Sequence, residues 1–180
     1  MQNRTPRMPE QPIPSHVELD ARFTAELASV LTGARRRALR DGDRHIDTAH
    51  LLHSLIETDP EVREAFDGGA QLARVLGYLV QRSIGYGLRW QGSVEDSGAV
   101  PVVREPAVDG WSPSALAAME GARRRAASRG AARAAGLDLL AALAADAESR
   151  AVEVLSRGGV DARRLADRAA VLTAGAVRHG

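Results

Sequence analysis

The chain has 180 residues, 44% of them hydrophobic but only 3% aromatic, and a formal net charge of +1. That leaves room for one domain with a sizeable core, built from Leu, Val and Ala on closely approaching helices. There is no cysteine and all 24 basic residues are arginine, which excludes disulfides, thiolate zinc sites, thiol nucleophiles and every catalytic or phosphate-loop lysine.

Residues 1–20 carry Pro6, Pro9, Pro12 and Pro14 and no hydrophobic run, so they read as a disordered tail and not as a secretory signal. A first repeat is expected over 21–84. Thr24 caps a helix whose inner stripe is Leu27, Val30, Leu31, Ala34 and Ala38, and Gly42 ends it. Thr48 is expected to cap a second helix with Leu51, Leu52, Leu55 and Ile56 inside. Asp59 and Pro60 restart the chain as N-cap and first helical residue of a short helix carrying Val62, Ala65 and Phe66. After Gly68 and Gly69 a fourth helix buries Leu72, Val75, Leu76, Leu79, Val80 and Ile84. Periodicity is lost over 85–110, which reads as a linker with weak strand character at Val100–Val103.

A second repeat is expected over 111–177. It opens on Trp111, with Ser112 as cap and Pro113 as first helical residue, and Ala115, Met119, Ala122 and Ala126 form its first stripe. Leu139, Leu140 and Leu143 mark the next helix, Val152, Val154 and Leu155 the third, and Leu165, Ala169, Leu172 and Ala176 the fourth. The two halves are in register. GARRRA occurs at 33–38 and again at 121–126, an offset of 88 residues. At that offset Phe23 meets Trp111, Thr24 meets Ser112, Leu31 meets Met119, Gly42 meets Gly130, and Leu51, Leu52 and Leu55 meet Leu139, Leu140 and Leu143. Such self-similarity implies two copies of one supersecondary unit, and duplicated helical units usually make binding surfaces.

Phe23-Thr24, Ala34, Ala38, Gly42, Ile46, Thr48, His50, Leu51-Leu52 and Leu55 fall at the spacing of the Clp amino-terminal repeat. The second copy keeps Trp111-Ser112-Pro113, Ala122, Ala126, Gly130 and Leu139-Leu140 but not the T-E-H signature. The chain therefore resembles the Clp amino-terminal double-repeat domain over about residues 22–175. That resemblance implies an all-α fold of two tandem four-helix repeats with pseudo-two-fold symmetry, and a module that docks adaptors and substrates. No nucleotide-binding motor motif is present, so a stand-alone docking domain is expected, cytoplasmic and monomeric, with no cofactor. Where ClpC-like relatives carry the Glu of each T-E-H to clamp the guanidinium of phosphoarginine, this chain has Ala49 and Leu137. The resemblance also points to a contact surface for cyclic peptides at the start of the second copy. Its residues here are Trp111 and Glu120, joined by Phe23, Leu116, Met119 and Arg123.

The bland readings weigh against sharper ones. The triple-arginine runs 35–37 and 123–125 lie between inward-facing alanines, so each is expected on a solvated helix face. A nucleic-acid-binding regulator using them is the alternative function, and the near-zero net charge argues against it. His45, His50 and His53 lack an H-E-x-x-H pattern, and His50 reads as a structural group at a helix start. No G-x-S-x-G elbow exists and no run is long enough to span a membrane, so an enzyme and a membrane protein are both disfavoured.

Overall fold

The computed structural model describes residues 21–97 and 110–177, with side chains placed for 21–83 and 110–176. The fold is all-α: eight helices lie among the described residues, and the strands are two residues long. Helix α1 (Ala25–Asp41) opens on Thr24, whose hydroxyl accepts the Leu27 amide at 3.3 Å. It closes on Gly42, whose left-handed φ of 71° turns its N–H back onto the carbonyls of Ala38 and Leu39. All five residues of the expected stripe are buried. Strand β1 (His45–Ile46) leads into α2 (Thr48–Thr58). The cap there is Asp47 and not the expected Thr48, which is the first helical residue. The Asp47 carboxylate accepts the amides of Ala49 and His50 at 2.9 and 3.0 Å, and a carboxylate suits the positive end of a helix better than a hydroxyl.

Helix α3 (Pro60–Glu64) starts on Asp59 and Pro60 as read, with Val62, Ala65 and Phe66 buried. Helix α4 (Gly69–Ser97) buries Val75 and Leu79, while Leu72 and Leu76 are half-buried. Val80 was expected inside and is 47% exposed. It follows Leu79 by one residue, about 100° further round the helix, and so leaves the core face. Because α4 runs on to Ser97, the expected linker 85–110 is helical over its first half; residues 85–97 contain no proline to stop it. The Ile84 side chain, the 1–20 tail and the Val100–Val103 segment lie outside the described residues.

Strand β2 (Gly110–Trp111) begins the second half, followed by α5 (Pro113–Ser128), α6 (Gly136–Ala145), α7 (Arg150–Arg157) and α8 (Ala162–Val177). Ser112 accepts the Ala115 amide at 3.1 Å and Pro113 is the first helical residue. Ala115, Met119, Ala122, Ala126, Leu139, Leu140, Leu143, Val154, Leu155, Leu165 and Ala169 are buried, whereas Val152 and Leu172 are half-buried and Ala176 is exposed.

One core runs through both halves. The joints between them are reciprocal. Trp111 pairs with Ile46 and the Ser112 amide donates to the Ile46 carbonyl at 2.9 Å. Phe23 pairs with Ala134 and the Thr24 amide donates to the Ala134 carbonyl, also at 2.9 Å. These are the same two contacts read at the 88-residue offset in opposite directions, the relation a pseudo-two-fold axis would produce. Further ties come from the Ala151 amide, which donates to Thr48 Oγ1 at 3.0 Å, and from Arg150, which reaches Asp47 at 2.8 Å. Among the described residues no helix is long and apolar enough to cross a membrane.

Candidate partner-binding surface

The six residues expected to form a docking surface separate into two groups. Phe23 and Met119 are 5% and 6% exposed and belong to the core. They cannot supply an outward shelf, which corrects the expectation for both. Phe23 points inward because its backbone is held against Ala134, and Met119 because it occupies the stripe position of Leu31 at the 88-residue offset. Phe23 and Trp111 are each bridged by backbone to the other half, at Ala134 and Ile46 respectively. The remaining four are accessible. Trp111 and Leu116 are half-buried against the core. Glu120 is exposed and receives Arg123 Nη1 at 2.9 Å, an i to i+3 pair on the outer face of α5.

Trp111 carries an unusual polar group. Its indole Nε1 is shielded from solvent and has no hydrogen-bond partner among the described residues. A buried donor left unmade costs about 1–3 kcal/mol, so native structures seldom leave one.

Both arginine runs point outward, as their spacing implies. Arg35, Arg36 and Arg124 are exposed; Arg37 pairs with Glu57 and Arg123 with Glu120. Ala49 and Leu137, at the clamp positions, are 1% and 4% exposed. Both are apolar and buried, so neither offers a carboxylate to a ligand.

The structure adds a polar cluster that sequence reasoning saw only as a structural His50. The ring is 4% exposed and faces three carboxylates: Nε2 lies 2.8 Å from Asp43 and 3.7 Å from Asp41, and Nδ1 lies 3.1 Å from Asp47. Nδ1 is also 3.0 Å from the Asp47 amide nitrogen. A neutral ring accepts that amide proton and completes a capping box; a protonated ring donates to the Asp47 carboxylate instead. Burial pushes the imidazole pKa down, but hydrogen bonds to Asp43 and Asp47, with the charges of both, raise it to about 9. The protonated form therefore prevails near neutrality. Burial pushes the Asp47 carboxyl up, yet hydrogen bonds with His50 and Arg82 and their positive charge hold it well below the usual carboxylate range. Asp47 thus anchors the start of α2, Arg82 of α4 at 2.6 Å and Arg150 of α7 at 2.8 Å. Asp41, Asp43 and His50 offer ligand atoms within 4.8 Å of one another, as a metal site would. Hydrogen bonding accounts for each of them, since Asp43 receives His50 and Asp41 receives Ser83 Oγ at 2.5 Å. The sequence signal for the cluster was the D-G-D run shortly before I-D-T-A-H, which places three acids in the seven residues ahead of a helix start.

Fold and surface together define an all-helical, two-part module held by a shared core and reciprocal backbone joints. Solved structures share this fold, two of them as follows. A chain from structural work on a malarial protein secretion system superposes with a TM-score of 0.56 at 14% identity, covering 84% of this chain and 95% of that one. The N-terminal domain of the caseinolytic-protease-associated chaperone ClpD from Arabidopsis thaliana superposes with a TM-score of 0.53 at 19% identity, covering 82% and 92%. The fold is accordingly that of a Clp amino-terminal domain. No protein-family model matches the sequence, and no curated protein is significantly similar to it.

Proposed function

We propose that this protein is a non-enzymatic protein- or peptide-binding module, docking its partner on the surface formed by Trp111, Leu116, Glu120 and Arg123. The Trp111 indole carries the reading: a large apolar ring at the joint between the halves that is packed on the core yet only half-buried. A half-buried tryptophan is the residue type that dominates binding energy at interfaces. The Glu120–Arg123 pair supplies an exposed polar rim beside it. The likeness of fold to a chaperone N-terminal domain supports this class of function. Adaptors, substrates or cyclic peptides of Clp unfoldases are the partners it suggests, with the protein serving as adaptor, competitor or decoy. Free phosphoarginine is not expected to bind, because Ala49 and Leu137 are buried and carry no charge.

The test has two arms: a Trp90→Phe variant, in which Trp111 is the single reporting indole, and a Trp111→Ala variant for affinity. Partner binding should quench or shift Trp111 fluorescence, and Trp111→Ala should cost about 2 kcal/mol or more of affinity. Unchanged affinity in a folded Trp111→Ala protein would make Trp111 a core residue and move the site elsewhere. The alternative, nucleic-acid binding through the arginine runs, requires duplex affinity that falls steeply with salt.

A further inference from the structure

The seam between the first and second helices is built differently in the two halves. In the first half α1 and α2 meet at Gly33, where an added Cβ would come within 2.5 Å of Ser54 Oγ. Ser54 donates to the Val30 carbonyl at 2.6 Å, and Arg37 pairs with Glu57 across the seam, which Glu57 also ties to His53 at 3.1 Å. Polar groups close the seam. At the 88-residue offset the second half has Gly121 for Gly33, Ala142 for Ser54, Arg125 for Arg37 and Ala145 for Glu57. The helices still approach closely, with Ala142 Cβ 3.2 Å from where a Gly121 Cβ would stand. Every group that closed the first seam is missing except the arginine.

What remains is an open groove of about 550 Å³ along α5 and α6. Ala117, Gly121, Ala142 and Ala145 give it an apolar lining, to which Arg124 and Arg125 of α5 and Asp146, the C-cap of α6, add charge. Arg125 is half-buried and makes no ion pair among the described residues. A partly desolvated guanidinium in an apolar lining favours a ligand that brings a carboxylate and small apolar side chains together. We propose that this groove docks an acidic segment of a protein partner, whose carboxylate meets Arg125 as Glu57 meets Arg37 in the first half. Asp146 repels a carboxylate, so the acidic residue is expected on the arginines of α5 and not beside the α6 cap. The groove shares no residue with the Trp111 surface and does not depend on it.

The probe is a short fluorescein-labelled peptide alternating Glu and Ala, compared with Gln/Ala and Lys/Ala versions by fluorescence anisotropy on the full chain. The Glu peptide should bind about tenfold more tightly than the Gln peptide, as expected for one charge-assisted hydrogen bond. Arg125→Gln should erase that preference. Ala145→Glu, at an exposed position, should weaken the Glu peptide by about tenfold or more, because it restores an internal partner for Arg125. Trp111→Ala should leave peptide affinity unchanged, which separates this site from the Trp111 surface. Equal affinity for Glu and Gln peptides, wild-type affinity in Ala145→Glu, or no binding of the Glu peptide by the wild-type chain would each overturn the proposal. So would displacement of the peptide by duplex DNA in an Arg125-dependent manner, which would assign the groove to phosphate.

Discussion

The polar junctions at the start of α2 and of α6 occupy the same positions with opposite charge. In the first half Asp41 faces His50; at the 88-residue offset Arg129 faces Asp138. His50 lies 3.0 Å from the Asp47 amide, and Asp138 accepts the Ala135 amide at 2.8 Å, so the third residue of each helix reaches back to the same backbone group. Position is kept while the sign of each charge is exchanged. The remaining differences are of reach. Asp47 caps its helix and draws in Arg82 and Arg150, one from each half. Ala135 has no side chain with which to cap, and Arg129 with Asp138 forms a local pair. The first junction is therefore a tie between halves, and the second a tie within one.

Removing Asp47 should have the largest effect. Asp47→Ala strips two helix-start amides of their acceptor and leaves the His50 ring with one carboxylate fewer. Breaking a buried charged network in this way should cost about 3–5 kcal/mol in urea unfolding. Asp47→Asn keeps the capping oxygen and should cost about half as much. A loss under 1 kcal/mol for Asp47→Ala would mean that the cross-half arginines contribute nothing.

Exchanging the charges at the second junction sharpens the comparison. Asp138 is 2% exposed, so Arg129→Asp would place two carboxylates together in a buried site and should cost about 3 kcal/mol. Asp138→His beside Arg129 should also destabilise. The double variant rebuilds the first half's acid–imidazole pair and should recover at least half of the summed loss, a coupling measurable in a double-mutant cycle. Additive losses would show that the two junctions share a position and nothing more.

The pH dependence should belong to the first junction. The folded-state pKa of His50 is raised from 6.5 to about 9, so its contribution is complete below pH 6.5 and is lost as pH rises through 9. Asp47 acts in the other direction: its carboxyl is held low, so its contribution is complete above the ordinary carboxylate range and lost in acid. Stability should thus fall by up to about 3 kcal/mol between pH 6.5 and 9.5, and His50→Gln should flatten that slope. A slope that persists in His50→Gln would place the titrating group elsewhere.

How much of this was legible in the sequence varies with the kind of interaction. The stripes of α1 and α5, both α1 boundaries, the Asp59-Pro60 start and the Ser112-Pro113 start were readable, because each rests on spacing or on one residue's backbone preference. The Asp47 cap was missed because Thr48 beside it is an equally good cap in one dimension. The run of α4 past Ile84 was missed because residues 85–97 include Gly85, Gly87 and Gly92 and show no apolar stripe at helical spacing. The candidate surface was half legible: exposure of Glu120 and Arg123 followed from the stripe, but Phe23 was placed outside because its inward turn depends on pairing with Ala134, 111 residues away. Cross-half pairings leave no local mark.

The smallest expected effect separates the two seams. Gly33→Ala places a methyl where Ser54 Oγ stands, and Ser54 cannot yield without losing its 2.6 Å bond to the Val30 carbonyl. A buried hydroxyl that loses its hydrogen bond, as Ser54 would, costs about 1–2 kcal/mol, which outweighs the roughly 0.5–1 kcal/mol that alanine gains over glycine inside a helix. Gly121→Ala meets only the Ala142 methyl at 3.2 Å, a contact that a shift of a few tenths of an ångström relieves. Crowding and helix propensity then nearly cancel, and the variant should unfold within about 0.5 kcal/mol of wild type. Ser54→Ala in the Gly33→Ala background makes the first seam resemble the second and should bring the two substitutions to similar cost. If Gly33→Ala proves as mild as Gly121→Ala without that change, the polar closure of the first seam is not what holds α1 against α2.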